Sequence, residues 1–134
     1  MPKSNELFQA ARAVRERSHS PYSGHKVGAA IRTKSGKIYS GCNVENSSYG
    51  GTVCAERGAI LKAVSEEGKI EITELLVVTD ASPPWPPCGF CRQVIAEFAA
   101  PELNIVSMNL SGEEQSVKFL DLFPQAFTPS HLGK

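Results

Sequence analysis

The sequence lacks a surplus of either charge, a long apolar run and any cluster of basic residues. It has 14 lysines and arginines against 14 aspartates and glutamates, so the formal net charge of its 134 residues is zero. Binding to nucleic acids through phosphate contacts requires clustered basic side chains, so a polynucleotide partner is not expected. No apolar run approaches the length of a membrane span, and a membrane partner is not expected either. A small-molecule partner fits this composition better.

The N-terminal stretch MPKSNELFQAARAVRERS has no uninterrupted apolar segment of the kind that a secretory signal requires. We therefore expect a cytoplasmic protein. Cysteines are few, four in all, and thiols stay reduced in that compartment. Closely spaced cysteines then indicate metal binding or catalysis before disulfides. The length predicts one domain, residues 1–134, whose core needs no disulfide.

Helical and extended patterns alternate along the chain. Helices are predicted over 5–17, 54–64 and 89–99, and strands over 26–33, 38–43, 72–79 and 102–110, with a short last strand over 114–119. A turn at 34–37 predicts that the first two strands form an antiparallel hairpin. Residues 80–87 contain four prolines and predict an irregular loop. This order of elements favours a three-layer α/β domain around one sheet.

Three of the four cysteines lie where a loop becomes a predicted helix. Cys54 opens one helix in TVCAER, and Cys88 and Cys91 open another in PPCGFCRQ. The free N–H groups and partial positive charge of a helix N-terminus stabilise a thiolate, which is the form that binds metal. Three protein ligands leave one tetrahedral position of zinc open, as in catalytic sites. We therefore expect these cysteines to hold a catalytic zinc ion.

Three charged residues adjoin the predicted ligands. Glu56 lies two residues after Cys54, where its carboxylate can exchange a proton with a zinc-activated water. Three thiolates make the site anionic, which opposes that activation. Arg57 and Arg92 are next to ligands, and we expect one or both to donate hydrogen bonds to sulfur and restore Lewis acidity.

The separate motifs are less specific than their combination. Cys-x-x-Cys alone also fits a redox pair or a structural zinc site, and Cys-x-Glu alone carries little information. Zinc deaminases combine a glutamate after the first ligand with Pro-Cys-x-x-Cys, as this chain does. The fourth cysteine, Cys42, is expected to be a small buried apolar residue.

The chain resembles the small homotetrameric cytidine deaminases over nearly its full length. The resemblance is carried by SPYS with VGAAI, then GCNVEN, CAER, PCGFCRQV and LFPQAF. It implies a three-layer α/β/α fold around one mixed five-stranded sheet. It also implies zinc-dependent hydrolytic deamination of cytidine and 2′-deoxycytidine to the uridines, with release of ammonia, as a step of pyrimidine salvage.

The resemblance assigns roles by position. It makes Cys54, Cys88 and Cys91 the zinc ligands and Glu56 the acid and base that protonates the ring nitrogen and then the leaving amine. It implies that Asn43 and Glu45 hold the ribose 3′-hydroxyl and that the backbone of Ala55 contacts the base. In a homotetramer with shared active sites, it implies that Ser47, Tyr49 and Phe127 reach a neighbouring subunit's pocket. The alternative for Asn43 and Glu45 is that they are polar residues that close a hairpin. The alternative for Tyr49 and Phe127 is ordinary core packing.

One departure from the family pattern concerns the base pocket. His25 occupies the position where the family usually has a phenylalanine stacked on the pyrimidine. An imidazole has a smaller area and polar nitrogens. Either the change is tolerated, or it alters the pocket. An altered pocket would bind cytidine more weakly or would accept a modified or antibiotic aminopyrimidine nucleoside as the substrate. Trp85 in PPWPPC fits a pocket mouth, an interface or an exposed loop. A non-catalytic zinc protein is the alternative class, and Glu56 argues against it.

Overall fold

The computed structural model describes residues 3–134. Its helices are α1 (Lys3–Arg15), α2 (Ala55–Glu67), α3 (Gly89–Phe98) and α4 (Phe119–Leu122), and its strands are β1 (Gly28–Thr33), β2 (Ile38–Cys42), β3 (Ile72–Thr79), β4 (Asn104–Asn109) and β5 (Glu114–Lys118). Each predicted helix and strand is present, with ends that differ by a few residues. None of the helices within residues 3–134 is both long and apolar enough to cross a membrane.

The five strands form one mixed sheet in the order β2-β1-β3-β4-β5. Strands β3 and β4 are parallel and are joined through α3, whereas the other neighbouring pairs are antiparallel. The hairpin of β1 and β2 turns at Gly36, whose φ of 91° suits glycine. The predicted mixed five-stranded sheet and its first hairpin are confirmed.

Helices cover both faces of the sheet, so the α/β/α layering is confirmed. On one face, α1 packs its buried Leu7 and Ala11 against alternate residues of the central strands, namely Ala30, Leu76 and Val78. On the opposite face, Ile31 and Leu75 pack against Ile60 of α2 and Ile95 of α3. Successive side chains of a strand point to opposite faces of the sheet, and helices pack on both of these faces. Both faces of the central strands are therefore apolar and buried.

Strand β1 begins at Gly28, two residues after the predicted start at residue 26. The reason is that the backbone N–H of Val27 donates to the side-chain oxygen of Asn43, at 2.9 Å, and the carbonyl of Lys26 accepts from Arg15, at 3.0 Å. These bonds to side chains hold 26 and 27 in a loop. Helix α2 extends three residues beyond its predicted end at residue 64, to Glu67. It is terminated by Gly68, which has a φ of 79°.

A glycine brings β2 close to α2. A Cβ atom on Gly41 would lie 2.4 Å from the backbone nitrogen of Ala59 and 2.7 Å from the carbonyl oxygen of Ala55. Real Cβ atoms do not approach other atoms so closely, so only glycine fits here. This contact fixes the N-terminal half of α2 against the sheet, which is the part of the helix that carries Glu56.

Candidate active site

A pocket of about 250 Å³ lies where the N-terminal ends of α2 and α3 meet the loop before β1. One end of it is lined by Cys54, Ala55, Glu56 and Cys88. The remaining wall includes the predicted site residues His25, Asn43 and Glu45. The fold therefore brings two of the predicted metal ligands, the predicted proton carrier and the predicted ribose contacts into one cavity.

Three cysteine sulfurs meet at one end of this pocket. Cys54 is the N-cap of α2 and Cys88 the N-cap of α3, while Cys91 is buried in the first turn of α3. Their sulfur atoms all lie within 4.8 Å of one another, and Cys54 Sγ is 3.7 Å from Cys88 Sγ. Ligands at the usual zinc–sulfur distance on a tetrahedron are separated by roughly 3.8 Å. The three sulfurs are thus positioned to bind one metal ion of zinc's size.

The electrostatics of this end of the pocket favour an anionic sulfur. Hydrogen bonding with Cys91, and with Arg57 and Cys88, lowers the pKa of the Cys54 thiol to about 5 against the opposing effect of burial. The same proximity to Cys54, together with burial, raises the pKa of Cys91. The lowered pKa favours the thiolate form of Cys54, which is the form that binds a metal.

Arg57 and Arg92 have different contacts. Arg57 Nη2 donates to Cys54 Sγ at 3.5 Å and to the carbonyl of Thr52 at 3.3 Å, and its guanidinium lies 5.4 Å from the centre of the Phe90 ring. Arg92 donates instead to the carbonyls of Pro87, at 2.8 Å, and Leu122, at 3.2 Å. Of the two arginines, only Arg57 is brought to a sulfur, and Arg92 anchors the segment before Cys88.

Glu56 is a buried carboxyl group that faces the pocket. It is only 4% exposed and lies in the first turn of α2, beside Cys54. Burial, with a further contribution from the Cys54 thiolate, raises the pKa of the Glu56 carboxyl to about 7. A group with such a pKa both accepts and releases a proton near neutral pH, as an acid–base catalyst must.

The two predicted ribose contacts are held by their own networks. Asn43 accepts from Val27 N with its side-chain oxygen and donates to the carbonyl of His25 at 2.8 Å, which fixes the loop before β1. Glu45 accepts from the backbone N–H groups of Tyr22, at 3.0 Å, and Ser23, at 3.1 Å, and from the hydroxyl of Ser23. That hydroxyl and these N–H groups lower the pKa of Glu45, so the carboxylate is ionised and can accept from a sugar hydroxyl.

His25, in the loop before β1, lies on the pocket wall and contacts the proline-rich loop. Its ring centre is 4.9 Å from that of Trp85, with an angle of 68° between the planes. Its Nδ1 is 3.8 Å from a carboxylate oxygen of Asp80, which also faces Arg15 at 3.5 Å. Trp85 itself lines the pocket, as one of its three possible positions requires, and it is 43% exposed.

Ser47, Tyr49 and Phe127 do not line this pocket. All three are exposed, Tyr49 at 76% and Phe127 at 55%. Tyr49 contacts Tyr22 edge to face at 5.8 Å, and Phe127 stacks on His131 at 5.2 Å. The alternative of ordinary core packing is therefore wrong for Tyr49 and Phe127 within this chain.

Several pocket residues were not predicted. Val77 and Thr79 line the cavity from the end of β3, and Asp80 directly follows that strand. Ligand sites of α/β sheets lie at the carboxyl ends of strands, so the end of the apolar run ITELLVVT was the signal for these residues. Ser23 belongs to the SPYS motif, but nothing in the sequence links it to Glu45. Cys42 is half-buried and lies outside the sulfur group.

Comparisons with known proteins agree with this geometry. A family model, described as the cytidine and deoxycytidylate deaminase zinc-binding region, matches residues 1–107. A cytidine deaminase of Halalkalibacterium halodurans is 44% identical over 127 residues, covering 95% of this chain and 96% of that protein. The crystal structure of cytidine deaminase from Burkholderia pseudomallei superposes with a TM-score of 0.87 at 42% identity, covering 95% of this chain and 100% of that one. Cytidine deaminase from Mycobacterium tuberculosis gives a TM-score of 0.79 at 35% identity, covering 95% and 98%.

Proposed function

The chain belongs to the cytidine and deoxycytidylate deaminase family, and we propose that it catalyses the hydrolytic deamination of cytidine and 2′-deoxycytidine. The reaction adds water to the base and releases ammonia, which leaves uridine or 2′-deoxyuridine. One observation carries the proposal: three cysteine sulfurs lie within 4.8 Å of one another, and two of these cysteines, Cys54 and Cys88, share one pocket with the buried carboxyl of Glu56 and with Glu45. A structural zinc site has no need of that carboxyl group or of that pocket.

Zinc is the cofactor that this family's domain binds, and the sulfur spacing fits it. Cys54, Cys88 and Cys91 would hold the ion and leave one position open toward the pocket. When bound, zinc supplies Lewis acidity, which makes water nucleophilic near neutral pH. Arg57 offsets part of the negative charge of the sulfurs through its bond to Cys54, so that less of this Lewis acidity is lost.

Glu56 carries protons through the reaction. Its carboxylate takes a proton from the attacking water and delivers it to the ring nitrogen next to the reacting carbon. It then takes the second proton of that oxygen and delivers it to the amino group, which leaves as ammonia. Each transfer requires a carboxyl group whose pKa lies near the working pH, and the burial of Glu56 supports that requirement.

The other end of the pocket supports recognition of a sugar. Glu45 is oriented by three donors from Tyr22 and Ser23, so it is fixed before a hydroxyl arrives. Asn43 retains one amide hydrogen beyond its bond to His25. The backbone of Ala55 borders the metal end, where the base is expected.

Exposed aromatic side chains support a homotetramer with shared active sites. Tyr49, Phe90 and Phe127 are each more than half exposed and lie outside the pocket of their own subunit. Burying such rings against neighbouring copies would remove them from water, and Ser47, Tyr49 and Phe127 would then complete a neighbour's pocket. Light scattering tests this directly, because a purely monomeric active enzyme contradicts the shared site.

We also propose that residues 1–134 act as one catalytic domain, since the described residues form one five-stranded sheet with helices packed on both faces, and that the protein works in the cytoplasm. Its four free cysteines suit a reducing compartment.

The substrate proposal is tested with a panel assayed under identical conditions with zinc-loaded protein. Cytidine, 2′-deoxycytidine, cytosine and cytidine monophosphate are compared by ultraviolet absorbance, with a modified aminopyrimidine nucleoside as the fifth member. We expect the two nucleosides to be turned over well and free cytosine poorly, because cytosine lacks the sugar that Glu45 would bind. Preference for the modified nucleoside would favour the alternative substrate instead.

A further inference from the structure

The pocket wall next to the expected base is formed by two aromatic rings from distant parts of the chain. His25 comes from the loop before β1, and Trp85 comes from the loop between β3 and α3. Their centres are 4.9 Å apart in an edge-to-face arrangement, and both rings line the cavity that contains Glu56 and Cys88. Edge-to-face contact at this distance is the preferred geometry of aromatic pairs, so each ring restrains the other.

The loop that carries Trp85 is held at both ends. At its start, the side chain of Asn109 donates to the carbonyl of Ala81 at 3.0 Å. At its end, Arg92 donates to the carbonyl of Pro87 at 2.8 Å, directly before a predicted metal ligand. Four prolines within residues 80–87 restrict the backbone between these anchors. Trp85 is therefore placed against the pocket before any ligand binds.

The imidazole of His25 is restrained on a second side. Its Nδ1 faces Asp80 at 3.8 Å, and Asp80 in turn faces Arg15. A ring that lies between a carboxylate and an indole has fewer orientations than a free side chain on a loop. Restraint of this kind reduces the entropy lost when a ligand is bound.

We propose that Trp85 is a specificity-determining residue that forms, with His25, a composite aromatic wall against the base of the bound nucleoside. The inference rests on the proposed function and names a further residue of the same site. An imidazole alone offers less area than a phenyl ring, and the indole adds apolar area beside it. Trp85 thus acts by contact and by holding His25 in place, whereas Glu56 and the cysteines carry the chemistry.

Fluorescence gives a direct test, because Trp85 is the only tryptophan of the chain. Zinc-loaded Glu56→Gln protein is titrated with cytidine, so that the substrate binds with little turnover. We expect a saturable change in the emission of Trp85, with free ribose as the control that leaves it unchanged. No change at cytidine concentrations that saturate the wild-type reaction would overturn the inference. This measurement uses the native side chain and does not depend on the folding of a Trp85 variant.

Kinetics test the coupling between the two rings. We expect Trp85→Ala and His25→Ala each to raise the KM for cytidine about tenfold while changing kcat much less. Because the rings act as one wall, the double variant is expected to raise KM far less than the roughly hundredfold product of the two single effects. Trp85→Phe, which keeps a ring, is expected to recover most of the loss. A double variant whose KM rises by the full product of the two single effects would contradict the composite wall. An unchanged KM in Trp85→Ala would contradict it as well.

The outcomes separate this inference from the proposed function. Turnover of cytidine without a fluorescence response leaves the function intact and removes the role of Trp85. A saturable fluorescence response without turnover by the wild type keeps the wall as a binding surface and refutes the deaminase activity. Absence of both refutes both.

Discussion

Replacing Gly41 by alanine tests how the fold positions the active site. The added Cβ would lie 2.4 Å from Ala59 N, 2.7 Å from Ala55 O and 2.8 Å from the carbonyl carbon of Gly58. All three atoms belong to the backbone of α2, so no side-chain rotation relieves the contact. To reach an ordinary contact distance, β2 and α2 must separate by roughly 1 Å.

That displacement has two expected consequences. Overpacking of a buried contact costs about 1–3 kcal/mol, so the free energy of unfolding should fall by that amount. The N-terminal half of α2 carries Glu56 and is capped by Cys54. Misplacing catalytic groups by about 1 Å lowers activity ~100-fold. Urea unfolding measures the first effect, and kcat/KM for cytidine measures the second.

Gly58→Ala is the matched control. No atom of the opposing strand lies closer than 3.6 Å to a Cβ built there, so alanine fits. Because glycine is unfavourable inside a helix, this variant should be neutral or more stable by up to about 1 kcal/mol. If Gly41→Ala matched the wild type in both stability and activity, the close approach of β2 would not be what places α2, and the reasoning would be refuted.

Three further predictions concern the site and its support. Arg57→Ala should lower turnover about 10–100-fold while the zinc content falls less, because Arg57 donates to a sulfur without binding the metal. Metal analysis and an activity assay measure the two effects. Equal losses of metal and activity would argue for a purely structural role of Arg57. Removing zinc with a chelator should abolish turnover, and added zinc should restore it. The far-ultraviolet circular dichroism signal should persist without zinc, because aliphatic side chains pack on both faces of the sheet. Loss of that signal would contradict a fold that is stable without the metal. Glu67→Gln should destabilise the protein near neutral pH and flatten its stability profile, measured by denaturant unfolding across pH. Hydrogen bonds from Tyr39, Ser35 and Thr33 lower the pKa of Glu67, so the stability that Glu67 contributes is present at neutral pH and is lost in acid. The hydrogen bond to Glu67 raises the pKa of Tyr39 from 10.0 to about 12, so the stability from Tyr39 is lost as the pH rises through that range. An unchanged profile would show that this cluster does not stabilise the fold.

The secondary structure could be predicted because it depends on local patterns. The apolar run of 72–79 is the central strand in full, and Gly68 ends α2 as a glycine after a helical pattern should. The convergence of the three sulfurs was also accessible, since each cysteine belongs to a short motif at a helix N-terminus. A helix start orients its first residues predictably, and two such starts at one edge of a sheet bring their side chains together.

Contacts between distant segments were not accessible in this way. No local pattern indicates that His25 lies against Trp85, or that Arg92 donates to carbonyls at 87 and 122 instead of a sulfur. Asn43 was interpreted as a ribose contact, yet it also fixes the loop that presents His25. These arrangements depend on loop conformations that the whole fold determines, and the sequence pattern of a loop restricts its path only weakly.

Turnover of cytidine by wild-type protein and by Glu56→Gln, at equal zinc content per chain, tests the central claim most directly. The account predicts formation of uridine and ammonia in equal amounts by the wild type. It predicts a loss of several orders of magnitude in Glu56→Gln, because an amide cannot carry the protons. Comparable turnover by the variant would contradict the proton-carrying role of Glu56, and no turnover by the folded, zinc-loaded wild type would contradict the deaminase activity itself.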